Sequence, residues 1–225
     1  MKTKLFLIIA IVFNSLMFCQ DSLKANEQEV RVIAVTPLNY DITKVNGLAV
    51  GLGFDPKYLF KDDDLTEIQK VNGLNLEVNP LGLMYLLFYN PPRAQDEELI
   101  KVNGLNISSA GYLRGVSHNG VSVSLYNYGH TMNGVMGSLS SFDIEKGKGI
   151  FIAPLSVSSK EMKGLSFSAV NDTEILRGFQ IGLVNRNIDG KGLQFGLVNR
   201  SSKMKGLQIG FWNKNGKRTL PLINF

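Results

Sequence analysis

Between Gly178 and Asn213 the chain spells nearly the same phrase three times: Gly178-Phe-Gln-Ile-Gly-Leu-Val-Asn185, Gly192-Leu-Gln-Phe-Gly-Leu-Val-Asn199 and Gly206-Leu-Gln-Ile-Gly-Phe-Trp-Asn213. The leading glycines stand 14 residues apart, and Gly164-Leu-Ser-Phe-Ser-Ala-Val-Asn171 keeps that interval one step back. Weaker copies begin at Gly149, Gly134, Gly120 and Gly104. Three units share a Lys-Val-Asn-Gly-Leu header, at 44–48, 70–74 and 101–105, which brings the total to ten. A fixed period constrains the fold more than composition does, because each unit must be one structural element packed on its neighbours.

With each unit numbered from its glycine as zero, positions +1, +3 and +5 are apolar in 27 of 30 cases, Ser109, Gly137 and Pro154 excepted. Positions +2 and +4 are small or polar in 18 of 20, Met136 and Phe151 excepted. This is period-two alternation, which marks a strand with one buried face, whereas a helix would repeat at three and four. The expectation is that the apolar side, three side chains wide, faces the core. Asn127, Asn171, Asn185, Asn199 and Asn213 at +7 suit a turn that closes each strand, since Asn tolerates turn geometry and bonds its own backbone. Their role is expected to be structural.

The fold class expected is all-β: about ten glycine-led strand–turn repeats of about 14 residues, forming a two-sheet β-solenoid or an antiparallel meander folded as a sandwich. A closed barrel is the alternative. A membrane barrel needs an apolar band about 25 Å tall, and three outward positions give only roughly 13 Å. A solenoid with one unit per turn looks strained, because eight straight strand residues run about 26 Å and a six-residue return spans at most about 20 Å. Two units per turn, giving two facing sheets, is therefore the expected solenoid.

Residues 1–19 read as a signal peptide, with Lys2 and Lys4 before an apolar run from Leu5 to Phe13 that is too short to span a bilayer. Cleavage is expected after Cys19. Lipidation of Cys19 is the alternative, against which Phe18 stands where a small residue is usual. Residues 20–225 then form a single repeat domain, in an oxidising compartment but with no cysteine left for a disulfide. Without Lys2 and Lys4 the charge is 22 basic against 19 acidic residues, too even to predict nucleic-acid binding.

Insertions at about 55–69 and 80–100 interrupt the repeat. The run Leu81 to Tyr89 is expected to cap the array or to dock on a partner, with Met84, Tyr85, Phe88 and Tyr89 as the contact residues. Asp62-Asp63-Asp64 lacks the alternating ligands of a calcium loop and reads as a solvated charge run. Near the C-terminus, Asn215-Gly216 predicts a turn, and Leu220 to Phe225 a closing strand in which Pro221 suits an edge.

Residues for chemistry are sparse. His118 and His130 are the only histidines, and His118 sits two before its glycine, where other units carry Val45, Val71, Val102, Met132, Met162 and Met204. A packed histidine is expected there. No metal-ligand pair, nucleophile elbow or phosphate loop occurs, so no catalytic, cofactor or metal residue is assigned.

The last three units and the closing Lys214-Asn-Gly-Lys-Arg-Thr-Leu-Pro-Leu-Ile-Asn-Phe225 resemble the leptospiral-type surface-repeat family, which is common among exported proteins of Bacteroidetes-like bacteria. The resemblance covers roughly Lys44 to Phe225. It implies a cell-envelope or surface location and brings no catalytic residues. The function expected is a non-catalytic exported scaffold, structural or binding an envelope macromolecule, in the periplasm, outer membrane or cell surface of a Gram-negative-type bacterium. An outer-membrane barrel and a glycan-processing enzyme are the alternatives. No cofactor and no nucleic acid is expected; membrane association and oligomeric state stay open.

Overall fold

A computed structural model describes residues 29–39, 41–52, 68–78, 98, 100–109 and 116–225. The described residues form twelve strands and no helix. They are β1 (Glu29–Thr36), β2 (Ile42–Leu52), β3 (Gln69–Val78), β4 (Ile100–Ser108), β5 (Val116–Ser124) and β6 (Asn127–Ser138), then β7 (Ser141–Ile152), β8 (Ser156–Phe167), β9 (Val170–Ile181), β10 (Val184–Phe195), β11 (Val198–Asn215) and β12 (Arg218–Asn224). Each strand pairs with the next in chain order, in one twelve-stranded sheet. Every pair from β1 to β11 is parallel, and only β11 and β12 run antiparallel.

Parallel pairing between consecutive strands makes a right-angled choice among the expected architectures. The chain is a β-solenoid of about nine turns. A meander needs antiparallel neighbours, and a closed barrel would pair β1 with β12, which the linear order does not do. The closed-barrel alternative, and the outer-membrane barrel with it, is therefore not what the chain forms.

One unit, not two, makes each turn. Gly178 pairs with Gly192, and Gly192 with Gly206, in unbroken 14-residue register. The objection to this arrangement assumed a straight strand and a separate return. Instead, the strand is itself the coil. Twelve of the coil's fourteen residues are extended as β10, and the chain bends at Gly192, whose φ of 140° is closed to ordinary side chains. It bends again where the Ile188 position drops out of the pairing and at the Gly196–Leu197 connection. A Cβ on Gly192 would run into the carbonyl oxygen of Gly178 one coil below, so the glycine column is required twice over, by conformation and by space.

The insertions do not disturb this register. Gly47, Gly73 and Gly104 stack directly although 26 and 31 residues separate them in sequence. At the other end, Gly216 (φ 60°) makes the expected hairpin turn, and β12 closes the array as an edge strand containing Pro221.

A 14-residue coil has room for few inward side chains. In β10 these are Asn185, Asn187, Gly190 and Gln194. The inner columns are position −2 (Val45, Val71, Val102, His118, Met132, Met162, Leu176 and Met204), position +2 (Ala49, Asn75, Asn106, Ser122, Met136, Phe151, Ser166, Gln180, Gln194 and Gln208) and the +7 asparagines, all buried. The alternation is as the sequence predicts, but its facing is reversed. Residues at +2 point in, and the apolar +1, +3 and +5 residues point out. Met136 and Phe151, exceptions on an outward reading, are core residues, packing with Met132, Phe142 and Met162.

In the C-terminal coils the inward amides bond to their copies. Asn171 Nδ2 donates to Asn185 Oδ1 (2.8 Å), Asn185 to Asn199 (2.8 Å) and Asn199 to Asn213 (2.7 Å). The same amides bond the carbonyls of Ile181, Phe195 and Ile209, which tethers each corner to the next coil. Gln208 donates to Gln194 (2.7 Å) and Gln194 to Gln180 (2.8 Å), a second ladder running back along the array. Buried amides with these partners avoid the desolvation penalty of an orphaned polar group.

Candidate docking face

The reversed facing leaves a continuous apolar surface on the outside of the sheet. Its +1 row includes Leu105, Val121, Val135, Ile150 and Phe179. Its +3 row includes Ile107, Val123, Ile152, Phe167 and Phe195, and its +5 row Leu52, Val78, Leu139, Leu183, Leu197 and Phe211, all exposed. Phe195 is 52% exposed, Leu197 59% and Phe211 75%, whereas Gln194 between them is fully buried. Chain geometry explains the inversion: with the interior filled by the −2, +2, +7 and +9 columns, the side chains between them are outside whatever their polarity.

Ten coils at about 4.8 Å spacing and three rows across about 13 Å give a strip of roughly 560 Å². A patch of that size is at the upper end of what a typical monomer exposes, and such patches are often functional. No described element covers it. The strip is also graded: its N-terminal coils carry Leu, Val and Ile, and its C-terminal coils add Phe167, Phe179, Phe195, Phe211 and Trp212.

Cations border this strip along its glycine edge. There, position −1 is an asparagine ladder in the first coils, with Asn72 donating to Asn46, Asn103 to Asn72, Asn119 to Asn103 and Asn133 to Asn119. The same column then becomes Lys148, Lys163, Arg177, Lys191 and Lys205. On the next face of the coil, beyond the Gly196–Leu197 bend, Arg186, Arg200 and Lys214 line a shallow groove with Asp172, Ile188 and Ser202. Residues 141–225 hold 13 Lys and Arg against 6 Asp and Glu, while residues 1–140 hold 11 against 13. The anionic residues among the C-terminal rows are partly tied up, as in Arg177–Asp189 (2.8 Å) and Lys163–Glu161 (2.8 Å).

Titratable groups elsewhere form no constellation of comparable extent. His118 is fully buried in the −2 column, and burial pushes its pKa down to about 4, against a weaker upward pull from its bond to the Val121 backbone. The packed histidine read from sequence is what the structure holds. Glu77, at +4 where other coils place Ser or Gly, is pushed up to about 7 by burial, although Asn75 opposes it. On β6 to β8, Glu145 is buried against Lys160 (2.6 Å), near the buried Tyr126 and Tyr128. Burial, and then the charge of Asp143, raises the Tyr126 phenol. Among the described residues no three metal-ligating side chains converge.

Met84, Tyr85, Phe88 and Tyr89, the contact residues expected from sequence, lie outside the described residues, as do the signal segment and Asp62–Asp64. The outward strip was missed because its residues read as core. Two signals pointed to it: the apolar −2 column, and the large apolar Met136 and Phe151 at +2. No family model, curated protein or solved structure matches the chain.

Proposed function

We propose that this chain is an exported, non-catalytic scaffold of the cell envelope that docks through the outer apolar strip of its sheet. The observation that carries the reading is the strip itself: rows +1, +3 and +5 face outward along the coils, exposed or half-buried, with the interior already filled by other columns. A rigid ladder of stacked coils offers a flat, extended surface at little conformational cost, since its side chains are already ordered by their neighbours. The signal segment and the resemblance of the last units to surface-repeat proteins support the envelope address.

Fractionation tests this. The full-length chain, exported in a Gram-negative host, is expected with the envelope, and the Phe179→Ser/Phe195→Ser variant is expected in the soluble periplasmic fraction with unchanged β circular dichroism. A wild-type chain retained in the cytoplasm, or a folded double variant that fractionates like wild type, overturns the reading.

A further inference from the structure

We infer that the surface this face docks on is an anionic lipid surface; the inference rests on the docking reading above and supplies its partner. The argument is from charge complementarity. A strip of about 13 Å width is too narrow to span a bilayer's apolar core, of about 30 Å, but it suits an element lying in the interface plane. Such elements place apolar side chains at the headgroup–acyl boundary and cations at its edge, where Lys and Arg stems lie along apolar surface and their charges reach phosphate. Here Phe167, Phe179, Phe195 and Phe211 supply the first. Lys148, Lys191 and Lys205, on the flank beside the glycine corner, supply the second; all three are exposed.

The aromatic residues and the cationic rows occur in the same coils. Before Ser141 the strip is aliphatic and its −1 flank is the neutral asparagine ladder; after it, the strip gains phenylalanine and the flank becomes basic. A second copy is the competing occupant. Two strips packed face to face with opposed axes would bring Lys148 to Lys205 of one copy against the same row of the other, a like-charge contact that an interface avoids. An anionic surface meets the lysine flank with the opposite charge.

Vesicle sedimentation with the mature chain tests the inference. Vesicles of equal parts phosphatidylcholine and phosphatidylglycerol should bind it, pure phosphatidylcholine far less, and added salt should weaken the binding. Lys148→Gln/Lys191→Gln/Lys205→Gln, at about fivefold per cation, should lose about 100-fold in partitioning without change in fold. Phe179→Ser/Phe195→Ser should lose binding to both vesicle types. Equal binding of both vesicle types, or a triple variant that binds like wild type, overturns the lipid assignment. Absence of vesicle binding combined with a dimer in sedimentation equilibrium that Phe179→Ser/Phe195→Ser dissociates assigns the face to a second copy; docking then stands and the lipid partner fails. If the Ser variant proves misfolded, the Lys variant and the salt dependence decide alone.

Discussion

The middle coils and the C-terminal coils have one backbone and two different interiors. In β6 to β8 the inner columns hold Met132, Met136, Phe142, Phe151, Val157 and Met162, with Phe142 and Phe151 edge to face at 5.5 Å. In β9 to β11 the same columns hold Asn171, Asn185, Asn199, Gln180, Gln194 and Gln208. The register passes from one to the other without a slip, Val157 pairing with Asn171 and Ser166 with Gln180. What the coils share is therefore what sets the fold: glycine at the corner and the parallel backbone ladder. The interior only has to stack on itself, by dispersion where it is apolar or by amide ladder where it is polar. An amide ladder tolerates burial because each member's partner is the same residue one coil away.

Breaking the shared element should therefore affect both regions equally, and most severely. Gly149→Ala and Gly192→Ala each put a methyl group into the carbonyl of the glycine below, at φ values of 127° and 140°. Each is expected to cost more than about 4 kcal/mol, from strain and backbone clash together. Hydrogen exchange resolved by coil checks this, since a solenoid need not unfold in a single step. Unequal losses at the two sites would mean that the interior, not the corner, governs stability.

Replacing one interior residue should separate the regions. Phe151→Ala removes a fully buried ring and is expected to cost about 3–4 kcal/mol by cavity formation, read as lost protection in β6 to β8 and spared protection in β10 and β11.

At the N-terminal border of the apolar region, His118→Met should change the acid response. The folded-state pKa of His118, about 4, lies below its unfolded value, so the unfolded chain binds the extra proton and wild-type stability falls as pH drops from about 6.5 toward 4. Glu77 acts with the opposite sign, because its raised pKa stabilises the chain at low pH and that contribution is lost as pH rises from 4.5 through about 7. Their overlap flattens the wild-type profile, so the difference between variant and wild type is the informative quantity. It should grow to at most about 3 kcal/mol in favour of His118→Met at pH 4. A pH-independent difference in urea melts would place the histidine's charge outside the stability balance.

The polar interior should show the smallest net effect when it is changed as a whole. Gln194→Ala orphans Gln208 Nε2 from one acceptor and Gln180 Oε1 from its donor, at about 2 kcal/mol. Replacing Gln180, Gln194 and Gln208 together by Met copies the middle coils and should cost less than about 1.5 kcal/mol. A triple variant less stable than the single one would show that the ladder contributes more than its own satisfaction.

Much of this was legible in the residues. The 14-residue spacing of Gly178, Gly192 and Gly206, the alternation around them and the closing strand after Asn215-Gly216 all carry into the structure. The facing did not carry, because alternation at Leu193, Gln194 and Phe195 identifies two sides without saying which is inside. Residues that decide it, such as Met204 at −2, lie across the Gly206 corner, where period two breaks. The number of units per turn was obscured for a related reason: a length estimate for a straight strand fails when Gly192 folds it. Nothing in the unit alone showed that the repeat's own apolar side would face outward.

The glycine column also governs how such a gene can change in length. Duplicating or deleting 14 residues anywhere in the last coils sets each downstream glycine on an equivalent carbonyl, and the 15-residue spacing of Gly134, Gly149 and Gly164 keeps the same stacking. Longer segments separate Gly47, Gly73 and Gly104, and these glycines still stack in register. Growth is thus quantised: the protein can lengthen its working surface by about 4.8 Å at a time, a whole coil per genetic event, with no intermediate lengths for selection to pass through.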